Sequence, residues 1–212
     1  GDFETTVDGA DYDAEKTDAK VEVKDVNGVE AVVTPADGTV AWKFDIPEAG
    51  WYTVTFEYSA VDESKADIER LFRLNGIIPY SEARYLSMQR TWVYEFAGET
   101  REDAFTTDVL GNELAPDMHT VATWESYTMK DFYGHYTKPL EFYMEAGEVT
   151  ISLQGVREAV AISSVTVHSV EKARTYKDVL AEYDEKGYKP AECEAILMEA
   201  EMPDSSSSVM IY

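Results

Sequence analysis

Apolar and polar residues alternate with a period of two along much of this chain, and glycine-centred turns punctuate the alternation. The pattern is clearest from Lys138 to Val170. Leu140, Phe142 and Met144 interleave with Glu141, Tyr143 and Glu145, and Ala146-Gly147 turns the chain. Val149, Ile151 and Leu153 resume the alternation, and after a short loop at Gly155 come Val160, Ile162, Val165 and Val167. Successive side chains of a strand point to opposite faces, so this pattern predicts three half-buried antiparallel strands. They are expected to form the closing edge of a β-sandwich whose partner strands lie about a hundred residues upstream.

Upstream, strand signals run through Val21-Val23, Val29–Thr34, and the set Val40, Trp42, Phe44 and Ile46. Pro47–Gly50 turns into Trp51–Tyr58, and Ile68–Leu74 alternates again before Asn75-Gly76. Asn27-Gly28 between alternating runs predicts a hairpin. Tyr80–Tyr136 breaks the pattern, since it joins two strands by a long stretch with few strand signals. Connections beyond about 12–15 residues are functional or disordered. Trp92, Trp124 and six tyrosines in this stretch (Tyr80, Tyr85, Tyr94, Tyr127, Tyr133, Tyr136) argue for an ordered, aromatic-rich cap. Tyr176, Val179, Leu180 and Tyr183 recur at helical spacing and predict one amphipathic helix stopped at Gly187, with Pro190 beyond. The expected fold is therefore all-β. It is a jelly-roll β-sandwich over residues 20–190 with an insertion at 80–136 and a short C-terminal helix. Residues 1–19 are acidic and poor in apolar periodicity, which predicts a flexible arm. Residues 191–212, with a short strand at Ile196–Met198 and serines at 205–208, predict a linker or the start of a further domain.

Charge narrows the partners. Asp and Glu number 42 against 18 Lys and Arg, giving a formal net charge of −24. Nucleic acid and anionic membranes would meet a negative surface, so neither is an expected partner. No apolar run approaches the ~18 residues of a membrane span. Cys193 stands alone, so no intrachain disulfide forms. Its neighbours Glu192 and Glu194 supply no cation to activate it. The chain opens at Gly1 without a leader pattern, and the expectation is that upstream targeting has been removed and that the protein is extracellular or attached to the cell surface.

Sugar sites place an aromatic ring against the apolar face of a pyranose and surround it with groups that reach the hydroxyls. Trp92, Tyr94, Trp124, Tyr127, Tyr133 and Tyr136, interleaved with Arg90, Asn112, Glu125 and Asp131, have that chemistry. Trp124 and Tyr133, flanked by Glu125 and Asp131, are the foremost candidates for an exposed platform. The alternative is that these rings pack the insertion onto the sandwich. Trp42 and Trp51, in or beside alternating strands, are expected in the core or at a strand edge. Arg70, Arg73, Arg84 and Arg90 could pair with Glu69, Glu82 or Asp108 to hold the insertion, or could recognise a carboxylated sugar. Asp8, Asp11 and Asp13 lack the spacing of a calcium-binding loop. His119 and His135 lack the spacing of a zinc motif. No nucleophile motif or phosphate loop is present. Neither an enzyme, a cofactor nor a metal is expected.

The segments FDIPEAGWYTVTFEYSA, IERLFRLNG and KPLEFYMEAGEVTISLQG resemble the galactose-binding-like jelly rolls of carbohydrate-binding modules. The longer run from IERLFRLNGIIPYSEARYLSMQRTWVY through DVLGNELAP to DFYGHY and PLEFYMEAG resembles a β-sandwich accessory domain. That domain occurs in extracellular solute-binding proteins of Gram-positive bacteria, linked to sugar ABC transporters. The resemblance implies a non-catalytic domain that binds a polysaccharide or oligosaccharide. The alternative is a structural module docking against a neighbouring solute-binding domain. Many such modules hold a structural calcium with a Glu-Ala-Glu strand near the start and an Asp in the last strand. Here Ser163-Ser164 stands where the Asp would fall, and the sole Glu-Ala-Glu is Glu199–Glu201.

Overall fold

The computed structural model describes residues 3–96, 98, 105–171 and 174–189. The strands are β1 (Glu4–Asp8), β2 (Glu22–Val26), β3 (Val29–Thr34), β4 (Thr39–Ile46), β5 (Gly50–Ala60), β6 (Ile68–Leu74) and β7 (Tyr85–Met88). They continue as β8 (Thr91–Glu95), β9 (Asp117–Val121), β10 (Trp124–Thr128), β11 (Phe142–Met144), β12 (Gly147–Arg157) and β13 (Val160–Ser169). One helix, α1 (Tyr176–Glu185), follows. Residues 1–171 form one compact unit, and α1 belongs to a second.

Two antiparallel sheets make the first unit an all-β sandwich. The four-stranded sheet runs β4-β12-β6-β7. The seven-stranded sheet runs β10-β5-β13-β3-β2, with β11 also on β5 and β1 also on β13. From β3 to β6, and again from β11 to β13, the chain changes sheet at every strand, which is the jelly-roll habit. Inward positions of β4 (Val40, Trp42, Phe44, Ile46), β5 (Val54, Phe56) and β12 (Val149, Ile151, Leu153) form the buried core. Each such large side chain contributes about 1.5–3 kcal/mol relative to exposure. Trp42 is fully buried, as its place in an alternating strand predicts, whereas Trp51 lies at the exposed start of β5 with its ring edge-to-face on Tyr143 of β11.

Several expectations need correction. Of the three strands from Lys138 to Val170, β11 pairs with β5 alone, but the other two are central: β12 lies between β4 and β6, and β13 lies between β5 and the β3/β1 side. Gly155 does not end its strand. It sits within β12 at an irregular register, where a Cβ would fall 2.5 Å from the Ala36 carbonyl carbon. A second register shift, between Ile162 and Ser164, moves the buried set of β13 from even to odd positions, so Ile162 and Val165 both face the core.

Residues 3–19 are not a loose arm. β1 pairs with β13 from Glu4↔His168 to Asp8↔Ser164. Gly9 follows so closely that a Cβ there would stand 1.9 Å from the Ile162 carbonyl oxygen. Residues 13–19 then hydrogen-bond along β4, with the Asp13 N–H donating to the Ala41 carbonyl at 2.7 Å and the Asp18 N–H to that of Thr39 at 3.0 Å. Backbone pairing needs no apolar periodicity, which is why composition alone pointed the other way.

The 80–136 segment is likewise more regular than its pattern predicts. β7 completes the four-stranded sheet, β10 extends the seven-stranded one, and β8 with β9 forms a separate ribbon. Short edge strands carry little burial pattern, so alternation cannot reveal them. The Asn27-Gly28 hairpin forms, with positive φ at both residues (53° and 83°), as its turn type requires. In the second unit α1 begins at a capping box formed by Thr175 and Asp178. Cys193, Ile196–Met198, Glu199–Glu201 and the serine run lie outside the described residues.

Candidate functional site

On one side of the sandwich, β5 pairs successively with β10 (Thr55–Ser59) and β11 (Gly50–Tyr52). The chain between those two short strands leaves the sheet as a loop. It is stapled at its base, where the Met129 N–H donates to the Val54 carbonyl at 2.9 Å and the Leu140 N–H to that of Met129 at 2.8 Å.

Asp131 organises the loop. The residue is 4% exposed and its side chain is fully buried. Oδ1 accepts the Tyr133 N–H at 3.0 Å, and Oδ2 accepts those of His135 at 2.6 Å and Tyr136 at 3.2 Å. Burial pushes this carboxyl up, but the three N–H donors outweigh it and hold the group below the usual aspartate value. The loop so held displays Tyr133 at 66% exposure and Tyr136 at 60%. Tyr133 stacks on His135 with ring centroids 6.0 Å apart and meets Phe132 edge-on at 5.2 Å.

Beside Tyr136 opens a groove of about 350 Å³ lined by Tyr80, Glu82, Tyr136, Lys138, Leu140 and Glu141, among others. Tyr80 forms its firm wall. Its ring stacks on the buried Phe142 at 5.6 Å, and its hydroxyl donates to the Glu141 carbonyl at 2.9 Å. Burial, followed by the Glu82 and Glu141 carboxylates, pushes the Tyr80 phenol up to about 12, so it stays a donor at neutral pH. Two rings, two carboxylates and an ammonium thus converge on one open hollow, which can cover an apolar ring face and bond the hydroxyls around it.

The other candidate residues are scattered. Arg90 is buried and pins the 61–67 loop: it donates to the carbonyls of Ala66 and Asp62 and to Asp62 Oδ1, each at 2.7 Å, with Glu158 3.5 Å away. Tyr127 is a buried ring, with the Lys130 ammonium 5.7 Å from its centroid. Glu125 accepts hydroxyl bonds from Thr91 and Thr123. Arg90, Glu125 and Tyr127 do share one polar hollow, of about 220 Å³. Trp124 is no free platform, because its ring is half-buried and its indole N–H donates to the Val26 carbonyl at 3.1 Å. Asn112 closes a turn onto Asp108. Trp92 and Tyr94 are exposed on β8, away from the 131–136 loop in sequence and on a different sheet. Asp131 serves the loop backbone and has no oxygen turned to a ligand's service.

Arginine pairing also differs from expectation. Arg70 is buried and meets only neutral acceptors, and Glu69 pairs with Arg157 instead. Arg84 lies over the Tyr85 ring at 5.0 Å. Sequence reasoning missed Glu82, Lys138 and Glu141 as a set, and took Tyr80 only as one of many rings. The Lys138-Pro139 step at the loop's return was the available signal. Ser163, at the bulge in β13, donates to the Glu57 carbonyl. No cluster of three or more His, Cys, Asp or Glu side chains suited to a metal occurs among the described residues.

No protein-family model matches the chain, and none of the curated proteins does. Solved structures similar to it include enzymes and carbohydrate-binding modules. A Paenibacillus sp. cycloisomaltooligosaccharide glucanotransferase, solved with cycloisomaltoheptaose, is 15% identical with a TM-score of 0.46, matched over 76% of this chain and 18% of that one. A Podospora anserina GH26-CBM35 β-(1,4)-mannanase is 14% identical at TM-score 0.46, over 87% and 35%. A family 35 carbohydrate-binding module from Clostridium thermocellum is 11% identical at TM-score 0.41, over 79% and 99%. These are similarities of fold alone.

Proposed function

We propose that this domain binds carbohydrate without catalysis, as an accessory module of an extracellular or surface protein, and that it does so in the groove beside Tyr136. The observation that carries the proposal is the use of Asp131. Ordering a loop costs about 1–2 kcal/mol per residue in backbone entropy. Here a buried carboxylate offsets part of that cost while Tyr133 and Tyr136 stay outside the core. Rings held outward on a fixed loop are prepared to meet a pyranose face, and Tyr136 has Glu82, Lys138 and Glu141 in the same groove to orient its hydroxyls. The sequence resemblance supports placing the module next to a solute-binding domain of a sugar transporter.

The test is affinity electrophoresis and calorimetry against a panel of neutral polysaccharides and oligosaccharides. A single platform of this size binds weakly, at roughly 0.1–1 mM. Tyr136→Ala abolishes the retardation while its thermal midpoint stays with the wild type. Equal retardation of the variant, or none of the wild type by any glycan, overturns the proposal.

One observation favours a second role, in protein contact. The β8–β9 ribbon and the chain beside it expose Trp92, Tyr94, Phe96 and Met118 together. Such a surface suits docking onto a neighbouring solute-binding domain. Trp92→Ser with Tyr94→Ser would weaken that docking in a sedimentation assay and leave glycan retardation intact.

A further inference from the structure

A hollow of about 490 Å³ lies on the outer face of the four-stranded sheet and shares no lining residue with the groove beside Tyr136. Its floor is made of small outward residues, Thr39 and Ala41 of β4 and Thr150 and Ser152 of β12. One wall is the 13–19 segment, which runs along β4 and brings Lys16 and Asp18 to the rim. The other wall is Arg73 of β6 with the Asn75-Gly76 turn. Small residues between two walls of long ones make a trough, and its depth exists because the N-terminal segment is ordered.

The trough's polar groups are unequally occupied. Lys16 is shared between the Thr150 hydroxyl at 2.7 Å and Glu148 at 3.8 Å, and Asp18 Oδ1 accepts the Thr39 N–H. Lys16 is therefore partnered, whereas Asp18 keeps its second oxygen and its negative charge at the rim. On the other wall one Arg73 guanidinium N–H donates to Gln154 Oε1 at 2.8 Å, and Arg73 forms no ion pair among the described residues. Like the buried Arg70, Arg73 lacks a carboxylate partner among the described residues, but Arg73 lines an open trough. Gln154 sits on the adjoining strand and fixes one side of the fork, leaving the other side to the trough. The side chains of Thr39 and Ser152 form no hydrogen bond among the described residues, and Asn75 has its Oδ1 on the Thr150 N–H.

We propose that this trough is a second ligand site, for a sugar acid: a polyhydroxylated ring carrying one carboxylate, with Arg73 as its anion anchor. The fork of a guanidinium matches a carboxylate bidentately. The hydroxyls of Thr39 and Ser152 and the Asn75 amide then serve the ring hydroxyls. The site contains no aromatic platform, so its recognition is electrostatic and polar. It is accordingly sensitive to salt. It also stands independently of the groove beside Tyr136.

The experiment is an amide-shift titration of the full chain with sodium glucuronate, glucose and sodium acetate at matched ionic strength. Glucuronate shifts the Thr150 and Ser152 amides, and glucose and acetate each act at least about tenfold more weakly. Raising the salt weakens the glucuronate effect. Arg73→Gln reduces it about tenfold or more, Arg73→Lys by less, and Tyr136→Ala leaves it unchanged. The proposal fails if glucose matches glucuronate, if acetate matches it and so shows a simple anion contact, if Arg73→Gln binds as the wild type does, or if Tyr136→Ala removes the response.

Discussion

The indole N–H of Trp42 donates to the carbonyl oxygen of Gly9 at 3.1 Å, joining the centre of the core to the first turn of the chain. The contact exists because Gly9 lies flat against β13, where a Cβ would overlap the Ile162 carbonyl. Gly9→Ala must push the segment away from β13 and break that hydrogen bond. Forcing atoms into so close a packing costs about 1–3 kcal/mol. The thermal midpoint should fall by ~2–12 °C, at about 2–4 °C per kcal/mol for a unit of this size. An unchanged midpoint would show that the N-terminal segment does not belong to the folded sheet.

Arg70 is 1% exposed and has no carboxylate partner among the described residues; its guanidinium donates to the carbonyls of Glu69, Arg157 and Pro35 and to the Thr34 hydroxyl. Burial pushes the group down to about 10, so it remains charged at neutral pH. Removing it takes a donor from three part-buried carbonyls and from the buried Thr34 hydroxyl. Arg70→Met should therefore destabilise by about 3 kcal/mol or more, although methionine is apolar and of similar length. Urea unfolding with an unchanged slope and a lower midpoint is the expected result. A stabilised Arg70→Met would mean that desolvation of the charge outweighs its hydrogen bonds.

Asp131 sets a pH limit on the display loop. Its folded pKa lies below the ordinary 3.8, so its contribution is complete at pH values above that figure. The contribution is lost as pH falls through the lower, folded value. Fluorescence of the loop tyrosines and glycan retardation should thus be constant from neutrality to about pH 5 and change only in more acid solution. Asp131→Asn should abolish that acid transition and weaken glycan binding at neutral pH. Retention of the transition in this variant would assign it to another carboxylate.

Trp124 was the leading platform on sequence grounds, and its bond to Val26 gives it a different task. Trp124→Phe keeps most of the ring but loses the N–H, at a cost of about 1 kcal/mol. Urea melts should show that loss while glycan retardation stays at the wild-type level. Loss of retardation with no loss of stability would return Trp124 to the site.

Much of the architecture was decided by the residues themselves. A strand with one face in the core must alternate, so β4, β5, β6, β12 and β13 declared themselves through their apolar positions. Asn27-Gly28 and Asn75-Gly76 announced their turns because positive φ is costly for most other residues. The tertiary structure alone decided which strands are central, since hydrogen-bond partners lie far apart and leave no local trace. It also made a strand of Glu4–Asp8, whose pairing with β13 depends on backbone groups common to every residue. The candidate site divided in the same way. Ring and carboxylate chemistry in the 80–136 region was legible, but burial turned Tyr127 and Arg90 inward and set Asp131 to work on its own loop. The groove joins Tyr80 and Glu82 to Tyr136, Lys138 and Glu141, and the trough joins Lys16 to Arg73. Each meeting is fixed by sheet pairing between distant strands, and no spacing along the chain encodes it.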